Sequence, residues 1–322
     1  MASKGLSMSK GLFLQNVIAI IWDFDQTLSP HYMQEPVFDH YGVDARKFWE
    51  EVRSLPAFYA RAGIKVQQDT CYLGHLLTYV QCGLMGDLSN AKLRELGAQI
   101  RFYDGVPEIF FRLRAILETE EFKDSDLHLE HYVVSTGLAE LVRGSAIAEH
   151  LSGIWASEFI ESPALPGLNP SDKPKAGPIT QIAGFLDHTT KTRAIFEINK
   201  GINKLTGVSV NDTIPEDERR VPFRNMIYIA DGPSDVPSFS VIRKHGGLAY
   251  AVYPPGSSQL FAQVDELLRS GRVDAYGPAD YREGGQTDMW LQRQVSCIAR
   301  RMMKDRIRTL ESSVGRGPYF SE

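Results

Sequence analysis

The chain has 322 residues, of which 43% are hydrophobic and 23% charged, the balance of a globular protein long enough for one large domain or two ordinary ones. Lys and Arg number 35 against 40 Asp and Glu, a formal charge of −5, which excludes a globally basic nucleic-acid binder. The longest apolar run, Val17–Trp22, is far short of the ~18 residues of a membrane helix, so neither a nucleic acid nor a membrane is expected as a partner. Lys4 and Lys10 are not followed by an apolar stretch of signal-peptide length, and Ser3-Lys4-Gly5-Leu6, nearly echoed by Ser9-Lys10-Gly11-Leu12, reads as a frayed leader. Cys71, Cys82 and Cys297 are too few and too scattered for a disulfide framework or a zinc site. A cytoplasmic protein with reduced thiols is the expectation.

In chain order, Val17–Trp22 is a short run rich in β-branched residues, as in a strand buried on both faces of a parallel sheet. It ends in Asp23-Phe24-Asp25-Gln26-Thr27, and Ser29-Pro30 breaks it. From about 31 to 100, Phe38, Tyr41, Phe48, Trp49, Val52, Leu73, Leu76, Leu77 and Val80 recur at helical spacing, and Ser89-Asn90 opens a further helix. The Tyr103–Pro107 turn predicts a helix over about 107–119. His131–Val134 reads as a second buried strand, ending at Ser135-Thr136-Gly137, with a helix from Leu138 to about His150 and a short strand over 153–160. Five prolines make 161–178 a loop. Thr189-Thr190 precede a helix over about 191–205, and 207–222 is a polar excursion. Met226–Ala230 is a third strong strand, ending at Asp231-Gly232, and Leu248–Tyr253 a fourth. A basic amphipathic helix covers about 287–312. The Gly, Pro and aromatic cluster Tyr276–Tyr281 stands out without a chemical reading.

Strands alternating with helices imply an α/β fold with a parallel sheet. In such sheets the site lies at the carboxyl ends of the strands. That rule selects Asp23/Asp25/Thr27, Ser135/Thr136/Gly137 and Asp231/Gly232/Ser234/Asp235. Carboxylates gathered there repel one another unless a cation compensates, and hard oxygen donors favour Mg²⁺. One carboxylate suits a nucleophile and its neighbour two residues on a proton donor and acceptor.

Asp23-Phe24-Asp25-Gln26-Thr27, Val133-Val134-Ser135-Thr136-Gly137 and Ile229-Ala230-Asp231-Gly232-Pro233-Ser234-Asp235 together resemble the first, second and fourth motifs of the haloacid dehalogenase-like (HAD) superfamily, in its phosphoserine-phosphatase-like branch. The resemblance spans roughly residues 17–255. It implies a three-layer Rossmann-like core with a small helical cap inserted after the first strand: core residues 11–30 and 101–270, cap 31–100, and a C-terminal extension, 271–322, with a helix. It implies Asp23 as nucleophile, forming an aspartyl-phosphate, and Asp25 as general acid and base. Ser135, Thr136, Gly137 and Thr27 would bind the phosphoryl group, and Asp23, the Asp25 carbonyl, Asp231 and Asp235 would hold Mg²⁺.

The third-motif lysine fits Lys191, at a helix start 40 residues before Asp231, with Lys200 the alternative. Dehalogenases of the family lack the second aspartate, so Asp25 favours a phosphatase, a phosphoric monoester hydrolase of a small phosphorylated substrate. A phosphotransferase or mutase, and a non-catalytic binding module, are the alternatives. Gln26 stands where many members have glycine, and Ser-Thr-Gly replaces the Ser-Gly-Gly-Phe of true phosphoserine phosphatases. His31, Arg46, Arg53, Arg61, Lys65 and His75 are candidate substrate contacts or solvated positions, and Phe58, Tyr59 and Tyr72 are expected in the cap's apolar core.

Overall fold

The computed structural model describes residues 15–169 and 171–314; the leader and residues 11–14 of the expected core lie outside them. Seven strands form one sheet in the order β4-β3-β2-β1-β5-β6-β7. They are β1 (Val17–Trp22), β2 (His128–Leu138), β3 (Leu151–Ile160), β4 (Gln181–Gly184), β5 (Met226–Ala230), β6 (Leu248–Tyr253) and β7 (Ala275–Pro278). All neighbours run parallel except β3 and β4.

The alternation along each strand divides the core in two. Ile18, Ile20 and Trp22 of β1 and Ile227 and Ile229 of β5 face one apolar cluster. Val17, Ala19 and Ile21, with Met226, Tyr228 and Ala230, face the other. This period-2 division is why β1 is buried throughout and reads as unbroken hydrophobic sequence. Helices α5 (Glu108–Ala115) and α10 (Gln286–Val314) cover the first face, and α7 (Lys191–Lys200), α8 (Val236–Lys244) and α9 (Ser258–Arg269) the second. The result is three layers. No helix among the described residues is long and apolar enough to cross a membrane.

Between β1 and α5 lie four helices, α1 (Glu35–Tyr41), α2 (Ala45–Ala60), α3 (Cys71–Gln81) and α4 (Asn90–Gly97). The chain leaves the sheet and returns at one point, where the Tyr103 N–H donates to the Leu28 carbonyl at 2.9 Å. Their apolar residues join the first core cluster without a break. Phe58 and Tyr59, expected in that core, are exposed, whereas Tyr72 is buried. Helix α4 packs on α6 (Ala139–Gly144) backbone to backbone. A Cβ on Gly97 would lie 2.2 Å from the Leu141 carbonyl oxygen, and one on Gly144 1.8 Å from that of Arg94.

Several boundaries differ from the periodicity. The helix predicted to begin at Leu138 begins at Ala139, because β2 runs on through Leu138. It ends at Gly144, and a single 3₁₀ turn follows over Ala148–His150. Helix α7 stops at Lys200, five residues short, because Gly201 adopts φ 75° and its N–H closes back on the Glu197 and Ile198 carbonyls. The unexplained Tyr276–Tyr281 cluster overlaps the edge strand β7. The buried Tyr281 hydroxyl donates to the Thr27 carbonyl at 2.6 Å. Residues beyond 270 thus complete the sheet. Leu291, Val295, Ile298 and Met302 form the buried face of α10, while Arg300 pairs with Glu121 and Arg301 with Asn225. The polar excursion before β5 is tied back by Arg220, whose guanidinium binds both carboxylate oxygens of Glu130 at 2.6 Å.

Two outcomes are expected. Gly144→Ala pushes α4 off α6 and costs about 1–3 kcal/mol, read as a lower denaturation midpoint. Burial alone would raise the Glu130 pKa, but the Arg220 guanidinium and the Tyr132 hydroxyl outweigh it and hold it below the usual glutamate value. Its stabilisation is therefore present at neutral pH and is lost as the pH falls below about 4–5. Arg220→Gln should cost about 1–3 kcal/mol at pH 7, and the penalty should shrink in acid, which urea titrations at the two pH values measure.

Candidate active site

Strand order sets the site. Trp22 at the end of β1 pairs with Val133 on one side and Ile229 on the other. The residues just beyond, Asp23, Ser135 and Asp231, therefore emerge along one edge of the sheet. The Asp23 N–H donates to the Ile229 carbonyl at 2.8 Å, so the backbone after β1 is still held by β5.

The centre is a buried cluster of charge. The Lys191 ammonium lies 2.7 Å from Asp23 Oδ1 and 2.8 Å from Asp235 Oδ1. Lys191, Asp23 and Asp235 are all buried. The Tyr228 hydroxyl donates to the same Asp235 oxygen at 2.5 Å, and Ser234 Oγ donates to the other at 3.0 Å. Carboxylate oxygens of Asp23, Asp231 and Asp235 all lie within 4.8 Å of one another. Burial and the charges of Asp23 and Asp235 push the Asp231 carboxyl well above its ordinary range. Burial also raises Asp23, to about 6, against the pull of Lys191. Burial works against the Lys191 ammonium too, but Asp23 and Asp235 outweigh it and hold its pKa well above the usual value. One lysine thus faces three crowded carboxylates, a donor set of hard oxygens that fits Mg²⁺.

Asp25 stands apart from this group. Its Oδ1 accepts the Met33 N–H at 2.8 Å. Loss of surrounding water and the Asp23 charge push its carboxyl up to about 8. Just after the two aspartates the backbone turns sharply: Gln26 has φ 59°, and its side-chain amide donates to the Pro30 carbonyl at 2.7 Å. A left-handed turn of that kind is one that glycine adopts most readily. Thr27 is buried, with its hydroxyl 3.5 Å from Asp23 Oδ2.

Ser135 is buried and accepts the Gly137 N–H at 3.0 Å. Residues 135–138 are extended, because β2 runs on through Leu138. The Thr136 carbonyl accepts the Tyr72 hydroxyl at 2.7 Å, which joins the second motif to α3. Helix α7 starts at Lys191, the residue expected from the sequence. Asp187 fixes the turn just before it: its Oδ1 accepts the Thr189 and Thr190 N–H groups at 2.9 and 2.6 Å, and Thr190, at the cap position, makes no side-chain cap bond. Lys200 lies at the opposite end of α7, where its ammonium binds the Asp212 carbonyl at 2.6 Å, away from the carboxylates.

An open cleft of about 780 Å³ runs from Asp25 and Thr136 to α2 and α3. Of the candidate contacts, Arg46 and Arg53 line it, together with Tyr32, Gln34, Trp49, Tyr72, Asp69 and His188. Arg46 also pairs with Glu50 at 3.0 Å. The others lie elsewhere: His75 pairs with Glu51 at 2.8 Å, Arg61 sits over the Phe58 ring, His31 faces Glu35, and Lys65 is exposed. Sequence reasoning missed Tyr228, Gln34 and Tyr281. Each is recruited by a fold contact rather than by a motif.

No protein-family model matches the chain. It is 36% identical over 291 residues to an uncharacterized protein of Borreliella burgdorferi, covering 88% of this chain and 98% of that protein. Among solved structures it is similar to a HAD-family hydrolase of Salmonella enterica serovar Typhi, at 12% identity and TM-score 0.49, covering 86% of this chain and 70% of that one. It is also similar to a substrate-bound phosphoserine phosphatase, at 18% identity and TM-score 0.45, covering 84% and 97%. A probable phosphoserine phosphatase of Vibrio cholerae gives 14% identity and TM-score 0.45, covering 90% and 68%. At that identity and coverage the chain belongs to one family with the Borreliella burgdorferi protein, and its mostly parallel sheet carries the acidic motifs at the ends of β1 and β5, with a helical insertion after β1.

Proposed function

We propose that the chain is a phosphatase that hydrolyses a small phosphomonoester through a phosphorylated Asp23, with Mg²⁺ as cofactor. The observation that carries this reading is the different setting of two carboxyl groups two residues apart. Asp23 is locked against Lys191, while Asp25 is held by the Met33 N–H and lines the cleft. Asp23 suits the nucleophile. Asp25 suits the proton donor, and the push on its carboxyl toward the protonated form agrees with that role.

An Asp23 oxygen would bond to phosphorus as the ester P–O bond breaks, and the Asp25 proton would go to the departing alkoxide. Water would then attack the phosphorus of phospho-Asp23 and lose a proton to Asp25, which frees phosphate and restores both side chains. Lys191 would keep Asp23 oriented and offset the charge that the phosphoryl group brings. Ser135, the Thr136 and Gly137 backbone and Thr27 would receive the phosphoryl oxygens. Asp23, Asp231, Asp235 and the Asp25 carbonyl would hold the cation, which supplies charge neutralisation at the phosphoryl group. A halide needs no proton on leaving, whereas an alkoxide does, so Asp25 argues for ester hydrolysis.

Asp23→Asn should lower turnover of p-nitrophenyl phosphate by at least ~100-fold, and chelation of divalent ions should do the same until Mg²⁺ is restored. Undiminished turnover of Asp23→Asn would overturn the assigned nucleophile. Asp25→Asn should slow an alkyl phosphate far more than p-nitrophenyl phosphate, whose leaving group needs little protonation; equal losses would remove Asp25 from the acid role. Lys191→Met strands two buried carboxylates and should cost about 3–5 kcal/mol of stability along with activity, measured by denaturant titration at fixed pH.

A further inference from the structure

Gln34 is the N-terminal boundary residue of α1, yet its side chain makes no cap bond. It is 3% exposed, and its Oε1 has no hydrogen-bond partner among the described residues. Leaving a buried carbonyl oxygen unpaired costs on the order of 1–3 kcal/mol, so a glutamine that merely fills space would be a poor choice where leucine or methionine packs as well. The residue lines the cleft beside Asp25, Tyr72 and Thr136, and it follows directly on Met33, whose N–H holds Asp25.

The Tyr72 hydroxyl beside it spends its proton on the Thr136 carbonyl at 2.7 Å, so it offers Gln34 no donor. Among the described residues the Gln34 carbonyl oxygen is left as the free group. An oxygen of that kind selects for a donor on the ligand and against an acceptor such as a carboxylate.

The aromatic wall of the cleft is closed on itself. Trp49 is tilted against Tyr32 at 5.5 Å and against Tyr72 at 5.6 Å between ring centroids. Arg46, Arg53, Asp69 and His188 line the same cleft, so polar groups stand beside the rings.

We propose that Gln34 Oε1 is a specificity determinant, accepting a hydrogen bond from a hydroxyl or an ammonium on the leaving group, so that the substrate is the phosphomonoester of a polyhydroxy or amino alcohol. This rests on the phosphatase reading above. The test compares kcat/KM for propyl phosphate, which offers no donor, with glycerol 3-phosphate and phosphoethanolamine, which offer a hydroxyl and an ammonium.

The wild type should favour at least one donor-bearing ester by tenfold or more, and Gln34→Met should bring that ratio close to one. Gln34→Glu keeps an acceptor and adds a charge, so it should retain discrimination and shift it toward phosphoethanolamine; this variant serves if the methionine variant does not fold. A wild type that treats the three esters alike, or variants that leave the ratios unchanged, would overturn the assignment of Gln34. Failure of the wild type to hydrolyse any of them, or p-nitrophenyl phosphate, would overturn the phosphatase reading instead.

Discussion

The Lys191 ammonium, wedged between Asp23 and Asp235 in the interior, is the interaction around which the rest is arranged. Buried charges of one sign are tolerated only where an opposite charge and full hydrogen bonding meet them. Here a single cation reaches two carboxylates carried by separate strand ends, and Tyr228 and Ser234 satisfy the remaining acceptors of Asp235. The constraint runs outward from there. Strands β1 and β5 must be adjacent and in register so that Asp23 and Asp231 meet. Helix α7 must begin at Lys191, and Asp187 fixes the turn that leads into it by accepting the Thr189 and Thr190 N–H groups. The sheet must also keep its alternation, because Tyr228 reaches Asp235 only from the α7 side.

Much of this was legible in the sequence, and the reason is burial. Strands β1, β2 and β5 lie inside the sheet, so β1 and β5 are buried along their length and β2 over Tyr132-Val133-Val134, and each of these runs ends in polar motif residues. The outer strands leave no such mark. Gln181–Gly184 is exposed along its length, and Ala275–Pro278 contains Gly and Pro; backbone pairing holds both. Helix α7 begins at the expected residue, although neither threonine before it makes a cap bond and the turn there is held by Asp187. Its end at Gly201 was readable from the glycine alone.

The residues that escaped the reading share a different property. Tyr281 touches Thr27 across 254 positions of sequence, and Gln34 faces α3 and β2. No local periodicity encodes such pairs. They also show how distant parts of the chain converge on one loop. The segment after Asp23 is held by the Gln26 amide within itself, by Tyr281 from the C-terminal segment, and by the Met33 N–H on Asp25. Tyr72 reaches from α3 to the Thr136 carbonyl. The aspartates therefore sit on backbone fixed from several directions rather than on a free surface loop.

The hydrogen bond from Tyr103 to Leu28 has a bearing on how such a protein can change over time. Because the four-helix segment starts and finishes at one spot on the sheet, its length is not tied to any distance the core must span. Doubling a closed excursion of this kind adds only about 0.6 kcal/mol of closure entropy. Helices can be gained, lost or exchanged there while β1 and α5 keep their places. The insertion can thereby be renewed without disturbing the lysine and carboxylates beneath it.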